Sequence, residues 1–432
     1  MMSNPRKTGY HFPKSHFADL FPKSCSALTA LSLILFMGLA APQTALARRA
    51  GHPPVMASVD ISPLLDEIRS IRWNEVTGEA NADAENTRRL SLEKALKETL
   101  SHNLNVRQAE ALLKDSDGQP ADPRDPGLLS WLIPVDLGAM KEASRLNTQA
   151  ARAHLQATQQ HALLESARLY AALTRAYLEK YLAVQTIEQS LRQLETEEKR
   201  FQAGESNSFD ITRAQMTLIE RYNHYLTADT TYKDASAALA TQLGLSTEVY
   251  WRPEDFSWRN AGEPFVPPVQ LFSDDLTAEQ ARRTALHNRA DLNELTLKQA
   301  ALERVVKGTF GPERDKRKVE LKQLTVEREK AVQAAGLLAE RAFHAFRLAE
   351  KNTGLAQQQA ALAYGFVNQL RISYNAGFSS AHELQDGETE LSRARAALTG
   401  AQVTTNLRRV ELVYEMGLLS DDVFSHPPVN LP

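Results

Sequence analysis

A stretch of more than forty residues occurs twice in the chain, and this repetition constrains the fold more than any single motif. The first copy runs from Phe201 to Leu245, and the second, 173 positions later, runs from Tyr374 to Leu418. Each copy contains, in register, an aromatic residue, a glycine, an acidic residue followed by an aliphatic one, and a closing glycine. Because repetition at a fixed spacing marks repeated supersecondary units, the pattern predicts a duplicated helical hairpin.

The hairpins belong to two larger repeats with long helices. A helical pattern that begins at Leu90 recurs at Leu276, 186 positions later, so each repeat is predicted to hold an opening helix, a long helix and a return helix. The first long helix is predicted over roughly Ala139 to Ala203, or about 100 Å at 1.5 Å per residue. The second is predicted over roughly Glu313 to Ala376 and contains three glycines, each of which weakens a helix by about 1 kcal/mol relative to alanine. Such lengths are typical of a tube or a stalk. The glycines are Gly336, Gly354 and Gly365.

The first long helix also carries a heptad pattern that is typical of a coiled coil. Its members are Tyr170, Tyr177, Val184 and Leu191.

Residues 1–47 are predicted to be a secretory signal, because basic residues precede an apolar run and Ala45-Leu46-Ala47 is a small-x-small cleavage site. The apolar run, Ala27–Ala41, is shorter than the roughly 20 residues that cross a bilayer as a helix. An uncleaved anchor is the alternative. Cys25, the only cysteine, lies in this segment, so the mature chain is expected to hold no disulfide. The formal net charge of −3 gives no indication of a nucleic-acid partner.

The remaining boundaries follow from composition and from the repeats. Residues 48–89 are predicted to be an extended N-terminal arm, and residues 246–275 a connector rich in proline and tryptophan that packs aromatic side chains across the outside of the helices. These segments flank helical repeat 1, residues 90–245, and helical repeat 2, residues 276–418. Residues 419–432 are predicted to be a loose C-terminal tail.

The paired turns, the closing Leu-Gly-Leu and Met-Gly-Leu, and the Leu-Ser-Leu-Glu opener resemble the TolC-like outer-membrane efflux proteins. The resemblance implies a homotrimer whose helices form a periplasmic tunnel, which meets a periplasmic adaptor protein and an inner-membrane pump. It implies that the turns at Gly204 and Gly377 form the periplasmic tip of that tunnel. The implied adaptor contacts are Gly204, Ser206, Asp210, Ala214, Gly377, Ser379, Glu383 and Gly387, and Tyr374 is an implied tip-lining residue.

The chain departs from the family where strands of an outer-membrane β-barrel are expected. A transmembrane strand needs about 9–11 residues of alternating character. Repeat 1 offers Lys114–Gly138, of which only Leu128–Leu137 is apolar, and Pro134 interrupts that run. Repeat 2 offers only Lys307–Asp315. We therefore predict a mainly α fold, with two tandem repeats of long antiparallel coiled-coil-like helices (a TolC-like α-barrel protomer) and with β-barrel strands absent or vestigial.

The sequence contains only weak signals for a catalytic or metal-binding site. His382-Glu383-Leu384-Gln385-Asp386 begins like a zinc-binding His-Glu-x-x-His motif, but Asp386 replaces the second histidine. The repeat aligns Glu383 with Asp210, which favours a role at a helix N-terminus. His154 and His161 could share a helix face, although solvated or seam histidines are commoner. No nucleotide-binding or catalytic motif is recognisable. We expect no enzyme, no metal site and no cofactor.

The sequence thus favours an exported component of an efflux system, located in the periplasm at or in association with the outer membrane of a Gram-negative envelope. It would be a passive α-helical channel that docks to an adaptor and an inner-membrane pump, with no nucleic-acid partner. The alternative is a non-conducting periplasmic scaffold, a degenerate paralogue that binds envelope partners.

Overall fold

A computed structural model describes residues 61–71, 87–118, 137–254, 257–259, 263–265, 272 and 275–420. The chain divides into two units, Met1–Ile61 and Ser62–Pro432, and all described residues except Ile61 belong to the second. Helices dominate this second unit, which confirms the prediction of a mainly α fold.

Nine helices and four short strands lie in the described parts of the chain. The first half contains α1 (Ser62–Ser70), β1 (Thr87–Leu90), α2 (Leu92–His102), α3 (Leu104–Gly118), α4 (Leu137–Gln202) and α5 (Ser208–Gln242). The second half contains β2 (Tyr250–Pro253), β3 (Ser257–Arg259), β4 (Glu263–Phe265), α6 (Ala278–Asn288), α7 (Ala290–Gly308), α8 (Gly311–Asn375) and α9 (Ala381–Glu415).

The long helices α4 and α8 lie within two residues of their predicted bounds at both ends. Helix α4 packs against its return helix α5, and α8 packs against α9. Helix α8 continues through its three internal glycines. The two hairpins meet where α4 packs against α9, and α7 packs against both long helices.

The opening helix of each repeat is two helices, and the prediction of one continuous helix from Leu90 was wrong. Leu90 ends strand β1, and the side chain of Ser91 caps α2 by accepting a hydrogen bond from the Lys94 amide. The backbone then turns extended at Asn103 and, in repeat 2, at Arg289. The Asn103 side chain accepts hydrogen bonds from two amides at the start of α3, those of Asn105 and Val106, which stabilises the break.

The closing glycines lie directly against the breaks in the opening helices. Gly244 and Gly417 have φ of +64° and +72°, and each ends its return helix against the break in the opening helices. A Cβ on Gly244 would lie 2.9 Å from the His102 Cβ, and one on Gly417 would lie 2.7 Å from the Arg289 amide nitrogen. Only glycine permits both this conformation and so close an approach, to the His102 side chain at Gly244 and to the Asn288 and Arg289 backbone at Gly417.

The described parts of the N-terminal arm and of the connector differ from the prediction. Within 48–89, α1 buries Leu65 and Ile68 and so is an amphipathic helix packed on the hairpin, not an extended segment. Strand β1 pairs in parallel with β2 of the connector, and Trp251 is buried in a core cluster rather than placed across the outside. A second cluster, around Phe346, includes Phe272.

Some predictions fall on residues outside the described parts. Residues 119–136 are among them, so the expectation for Leu128–Leu137 stays a prediction, as do those for the signal segment and for the tail beyond residue 420. In repeat 2, only Thr309 and Phe310 separate α7 from α8. Among the described residues, no helix has an apolar stretch long enough to cross a membrane.

Candidate functional site at the paired tip turns

The two turns that join the long helices to the return helices have the same backbone geometry; we call them the tip turns. Gly204 has φ +76° and Gly377 has φ +80°. The Glu205 amide donates to the Arg200 carbonyl at 2.8 Å, and the Phe378 amide donates to the Ser373 carbonyl at 2.9 Å. This is the left-handed helix cap that favours glycine. A Cβ at either glycine would meet nothing within 4 Å, so conformation rather than crowding requires glycine here.

The return helices begin with side-chain caps at equivalent positions. Asn207 accepts a hydrogen bond from the Asp210 amide at 3.0 Å, and Ser380 accepts one from the Glu383 amide at 3.2 Å. Glu383 completes a capping box by accepting from the Ser380 amide at 2.8 Å. Both acidic side chains therefore lie in the first helical turn, where the helix dipole favours negative charge.

A groove between the two hairpins, the tip groove, brings four of the predicted site residues together. It has a volume of about 780 Å³. Its lining includes Asp210, Ala214, Tyr374 and Ser379, together with Arg192, Gln193, Arg200, Arg213, His382, Gln385 and Glu388. The Gln385 amide donates a hydrogen bond to the Gln193 side chain and so links α9 to α4 across the groove. The lining is rich in charged and amide groups and is suited to polar contacts with another protein.

Several of the predicted site residues also stabilise the turns or the packing beside them. The Ser206 hydroxyl donates to Glu197 at 3.0 Å and lies 3.3 Å from an Asp210 oxygen, while the Ser379 hydroxyl donates to Ser373 at 2.6 Å. Gly387 lies where a Cβ would come within 2.6 Å of Leu370, so it permits a close approach of α9 to α8. Gly204, Ser206, Gly377, Glu383 and Gly387 do not line the tip groove.

Sequence reasoning missed Arg192 and Arg213 of the groove and the exposed phenylalanines beside the turns. Phe378 is 87% exposed and Phe209 is 72% exposed, beside Gly377 and Asp210 respectively. An aromatic residue inside a polar glycine turn is a sequence signal that could have indicated them. The pairing of Gln193 with Gln385 had no such signal, because it depends on how the two repeats pack.

The candidate metal residues do not converge. His382 lies 3.6 Å from Asp386 one turn along α9, and His154 Nδ1 lies 3.2 Å from Glu294 on α7. Within the described residues, no group of three histidine, cysteine, aspartate or glutamate side chains could hold a metal ion. The histidine contacts are ion-pair or hydrogen-bond contacts of the ordinary kind.

The fold and one part of the sequence match known proteins. Residues 130–245 match the model of the outer membrane efflux protein family. No curated protein sequence matches the chain.

Solved structures with a similar fold include three outer-membrane proteins. They are the outer-membrane channel OprN (17% identity, 76% of this chain and 89% of that chain, TM-score 0.59), the outer membrane protein VceC from Vibrio cholerae (14%, 76% and 96%, 0.58) and the CmeC outer membrane channel of Campylobacter jejuni (12%, 76% and 85%, 0.57). The matched family is described as an outer membrane efflux protein, in agreement with the resemblance seen in the sequence.

Proposed function

We propose that this chain, which resembles the TolC-like outer-membrane efflux proteins and matches the efflux family over residues 130–245, is a passive α-helical conduit of an efflux system. The conduit is a homotrimer in the periplasm, at or associated with the outer membrane of a Gram-negative cell. Its tip turns and tip groove dock to a periplasmic adaptor that belongs to an inner-membrane pump. The observation that carries the proposal is an exposed side of α8 in repeat 2. The equivalent side of α4 in repeat 1 is covered by α9 of the same chain.

In repeat 1, that side of α4 receives helix α9. Arg175 donates a hydrogen bond to Thr404 at 2.8 Å, and Arg168 bonds Glu411 at 3.2 Å. Helix α9 is the repeat-2 copy of α5, because the repeats are 173 residues apart. The equivalent side of α8 therefore fits α5 of another copy of the chain. When each copy packs on the next in this same way, the copies form a closed ring if the rotation that relates neighbouring copies adds up to a full turn.

The corresponding side of α8 is apolar and exposed. Leu348, Leu355 and Leu362 are 60%, 57% and 75% exposed and recur every seven residues; we call them the leucine stripe. A heptad of leucines is typical of a helix–helix seam. Burial of each side chain would contribute about 1.5–3 kcal/mol.

The opening helices show the same asymmetry. Helix α7 packs on α4 and on α8, and its contacts include a salt bridge of 2.9 Å from Arg304 to Glu142 on α4. Its repeat-1 copy, α3, packs on α4 and leaves Leu104 and Leu112 exposed. Val319 and Val326 on α8 are exposed as well. These apolar residues are suited to a second contact between copies, α3 against the α8 of a neighbour.

The tip turns are the proposed adaptor contacts. Two capped turns of identical geometry, an adjoining polar groove and exposed phenylalanines form a surface with apolar anchors and a polar rim, the usual composition of a protein interface. The proposed contact residues are Gly204, Ser206, Asp210, Ala214, Gly377, Ser379, Glu383 and Gly387, with Tyr374 lining the tip.

The test is efflux from a strain that lacks this chain. The strain should retain a fluorescent efflux substrate, and the wild-type chain should restore its export. Phe378→Asp should restore little, because it places a charge where an apolar anchor meets the adaptor. Phe310→Asp, an equally drastic change at an exposed residue at the far end of α8, is the control and should restore export fully.

The outcomes separate the conduit from the alternative scaffold. A scaffold that does not conduct would leave export unchanged whether or not the chain is present. Export unaffected by deletion of the chain, across a panel of neutral, cationic and anionic dyes, would contradict the proposed conduit. Equal restoration by both phenylalanine variants would contradict adaptor docking at the tip turns.

A further inference from the structure

A groove along the middle of the first hairpin has an apolar floor and a basic rim; we call it the basic groove. It lies between α4, α5 and α9 and has a volume of about 400 Å³. The floor includes the buried side chains of Leu178 and Ala183 and the backbone of Gly400. This volume is within the range of about 300–1,000 Å³ that small-molecule pockets occupy.

Three arginines, one from each helix, surround this floor. Arg175 belongs to α4, Arg221 to α5 and Arg393 to α9. Arg393 pairs with Glu390 at 2.8 Å on the exposed surface, and Arg175 donates to Thr404. Arg221 forms no ion pair or hydrogen bond with any described residue. Glu179 is the acidic residue among the lining side chains, so the basic groove carries a net positive charge.

Gly400 keeps the floor open. A Cβ at this position would meet nothing within 4 Å, and the residue lies inside a continuous helix with ordinary φ. Glycine costs a helix interior about 1 kcal/mol relative to alanine, so neither backbone geometry nor crowding explains it. Its equivalent in repeat 1 is Thr227, so the open floor belongs to one repeat only. The space above Gly400 is available to a ligand.

The basic groove lies on the side of the hairpin away from α1. Arg69 of α1 pairs with Glu198 on α4 at 2.7 Å, and Glu67 lies 3.4 Å from the Tyr222 hydroxyl on α5. At about 100° per residue, Leu182 of the groove lies about 160° around α4 from Glu198. The described part of the N-terminal arm therefore does not cover the groove.

We propose that the basic groove binds amphiphilic organic anions, with the apolar part of the ligand on Leu178, Ala183 and Gly400 and the anionic group against Arg221. The free guanidinium supplies the charge-assisted hydrogen bonds that a sulfonate or carboxylate prefers. In the cell this makes the groove a contact for anionic substrates of the conduit, a role that rests on the proposed function. Binding itself does not depend on it.

The probes are two fluorescent molecules of nearly the same shape. Anilinonaphthalene sulfonate is an amphiphilic anion, and N-phenylnaphthylamine is its uncharged analogue. Purified full-length protein should bind the sulfonate at one site per chain. Arg221→Gln should weaken sulfonate binding at that site about tenfold and should change binding of the neutral analogue less than twofold. The control Arg283→Gln, at an exposed arginine on α6, should change neither.

Gly400→Leu tests the floor separately, because leucine favours the helix and fills the space above it. It should remove one site per chain for both probes, while circular dichroism and the melting temperature show an intact fold. Sulfonate affinity that is unchanged by Arg221→Gln would overturn the proposal, as would retention of the full number of sites by Gly400→Leu. If the chain failed to restore efflux but both variants behaved as expected, the proposed conduit would be wrong and the anion site would stand.

Discussion

The two repeats differ most where the return helix crosses the long helix. In repeat 1, Asp229 on α5 lies between Lys180 and Lys233, at 2.7 Å from each ammonium nitrogen. Lys180 also lies over the ring of Tyr232. In repeat 2, the positions of Lys180 and Tyr232 are occupied by Thr353 and Thr405, whose hydroxyls lie 2.8 Å apart. A charged network thus joins α4 to α5 in repeat 1, whereas a neutral hydroxyl pair joins the equivalent helices α8 and α9 in repeat 2.

A second difference lies between the opening and long helices. The Thr99 hydroxyl on α2 donates to the Ala95 carbonyl at 2.8 Å and lies 2.7 Å from the Ser166 hydroxyl on α4, and both residues are buried. Their equivalents in repeat 2, Ala285 and Ala339, are fully buried alanines on packed helices.

The tip turns, in contrast, keep a glycine with positive φ, +76° in repeat 1 and +80° in repeat 2, and a side-chain cap at the equivalent position, Asn207 in one and Ser380 in the other. The turn geometry is common to both repeats, whereas the packing between helices has diverged. The leucine stripe is a third difference, because no described helix of the same chain occupies the side of α8 that corresponds to the α9 side of α4.

The largest expected effect is on the leucine stripe. Leu355→Glu with Leu362→Glu should convert an assembled protein into monomers, because each buried leucine contributes about 1.5–3 kcal/mol at every interface. Native mass spectrometry measures the change. The matched control is Tyr364→Glu, an exposed apolar position on nearly the opposite side of α8, which should leave the mass unchanged. Loss of assembly in the control alone would place the interface on the wrong side of the helix.

Closing turns should be far less tolerant than tip turns. Gly417→Ala should lower the free energy of unfolding for two reasons. Alanine in a left-handed conformation costs about 1–2 kcal/mol, and overlap of its Cβ with the backbone of Asn288 and Arg289 costs about 1–3 kcal/mol more. Gly377→Ala incurs only the conformational cost, because its Cβ would meet nothing within 4 Å. Denaturant midpoints should therefore fall two- to threefold more for Gly417→Ala. Equal shifts would contradict the packing of the closing turn into the helix break.

The charged network of repeat 1 should make stability depend on pH. Burial alone would raise the pKa of Asp229, but hydrogen bonds from Lys180 and Lys233 outweigh it and lower the pKa below its ordinary value of 3.8. Asp229→Asn should reduce the free energy of unfolding at pH 7 by about 2 kcal/mol, because two lysines lose their partner. A lowered pKa stabilises the fold above pH 3.8, and this contribution is lost as the pH falls further.

The measurement is the difference in denaturant midpoint between wild type and Asp229→Asn as a function of pH. It should be constant from pH 7 to about 5 and should approach zero below pH 3.8. Thr405→Val, which disrupts the neutral pair in repeat 2, is the control and should give a difference that does not vary with pH. A pH-independent Asp229→Asn difference would show that the network does not hold the carboxylate ionised.

The smallest expected effect is at the buried hydroxyl pair. Thr99→Ala should cost about 1 kcal/mol, because it leaves the Ser166 hydroxyl buried and without this partner. Adding Ser166→Ala, which reproduces the alanine pair of repeat 2, should recover part of that loss. Chemical denaturation of the two single variants and the double variant gives the coupling energy. Strict additivity would show that the hydroxyls do not depend on each other.

Local features of the fold could be predicted from the sequence, and contacts between repeats could not. The ends of α4 and α8 were predictable because a left-handed glycine, Gly204 or Gly377, follows each long helix. The breaks at Asn103 and Arg289 were not predictable, because an amide and a guanidinium share no helix-ending signal. Each break also lies against a closing turn more than a hundred residues away in the sequence. The pairing of β1 with β2 was missed for the same reason.

The candidate site shows the same division. The tip turns and the acidic residues Asp210 and Glu383 follow from the repeat, because alignment of the two copies identifies equivalent positions. The tip groove could not be predicted in the same way, because its lining depends on which helices lie side by side as well as on which positions correspond between the repeats. Asp210 and Tyr374 line it together only because α4 packs against α9, and the repeat alone does not indicate which helices become neighbours.

The central claim is that copies of the chain pack as the two repeats pack, and cysteine cross-linking tests it most directly. Leu178 on α4 lies with Leu407 on α9 in one apolar cluster. Their equivalents are Lys351 on α8 and Asp234 on α5, which are exposed and of opposite charge. A Cys25→Ser background contains no other cysteine. In that background, a short bifunctional thiol reagent should link Leu178→Cys to Leu407→Cys within one chain.

The same reagent applied to Lys351→Cys with Asp234→Cys should link separate copies and give a covalent trimer as the largest species on a denaturing gel. A chain that stays monomeric in this variant, while the Leu178→Cys and Leu407→Cys control links internally, would contradict the account.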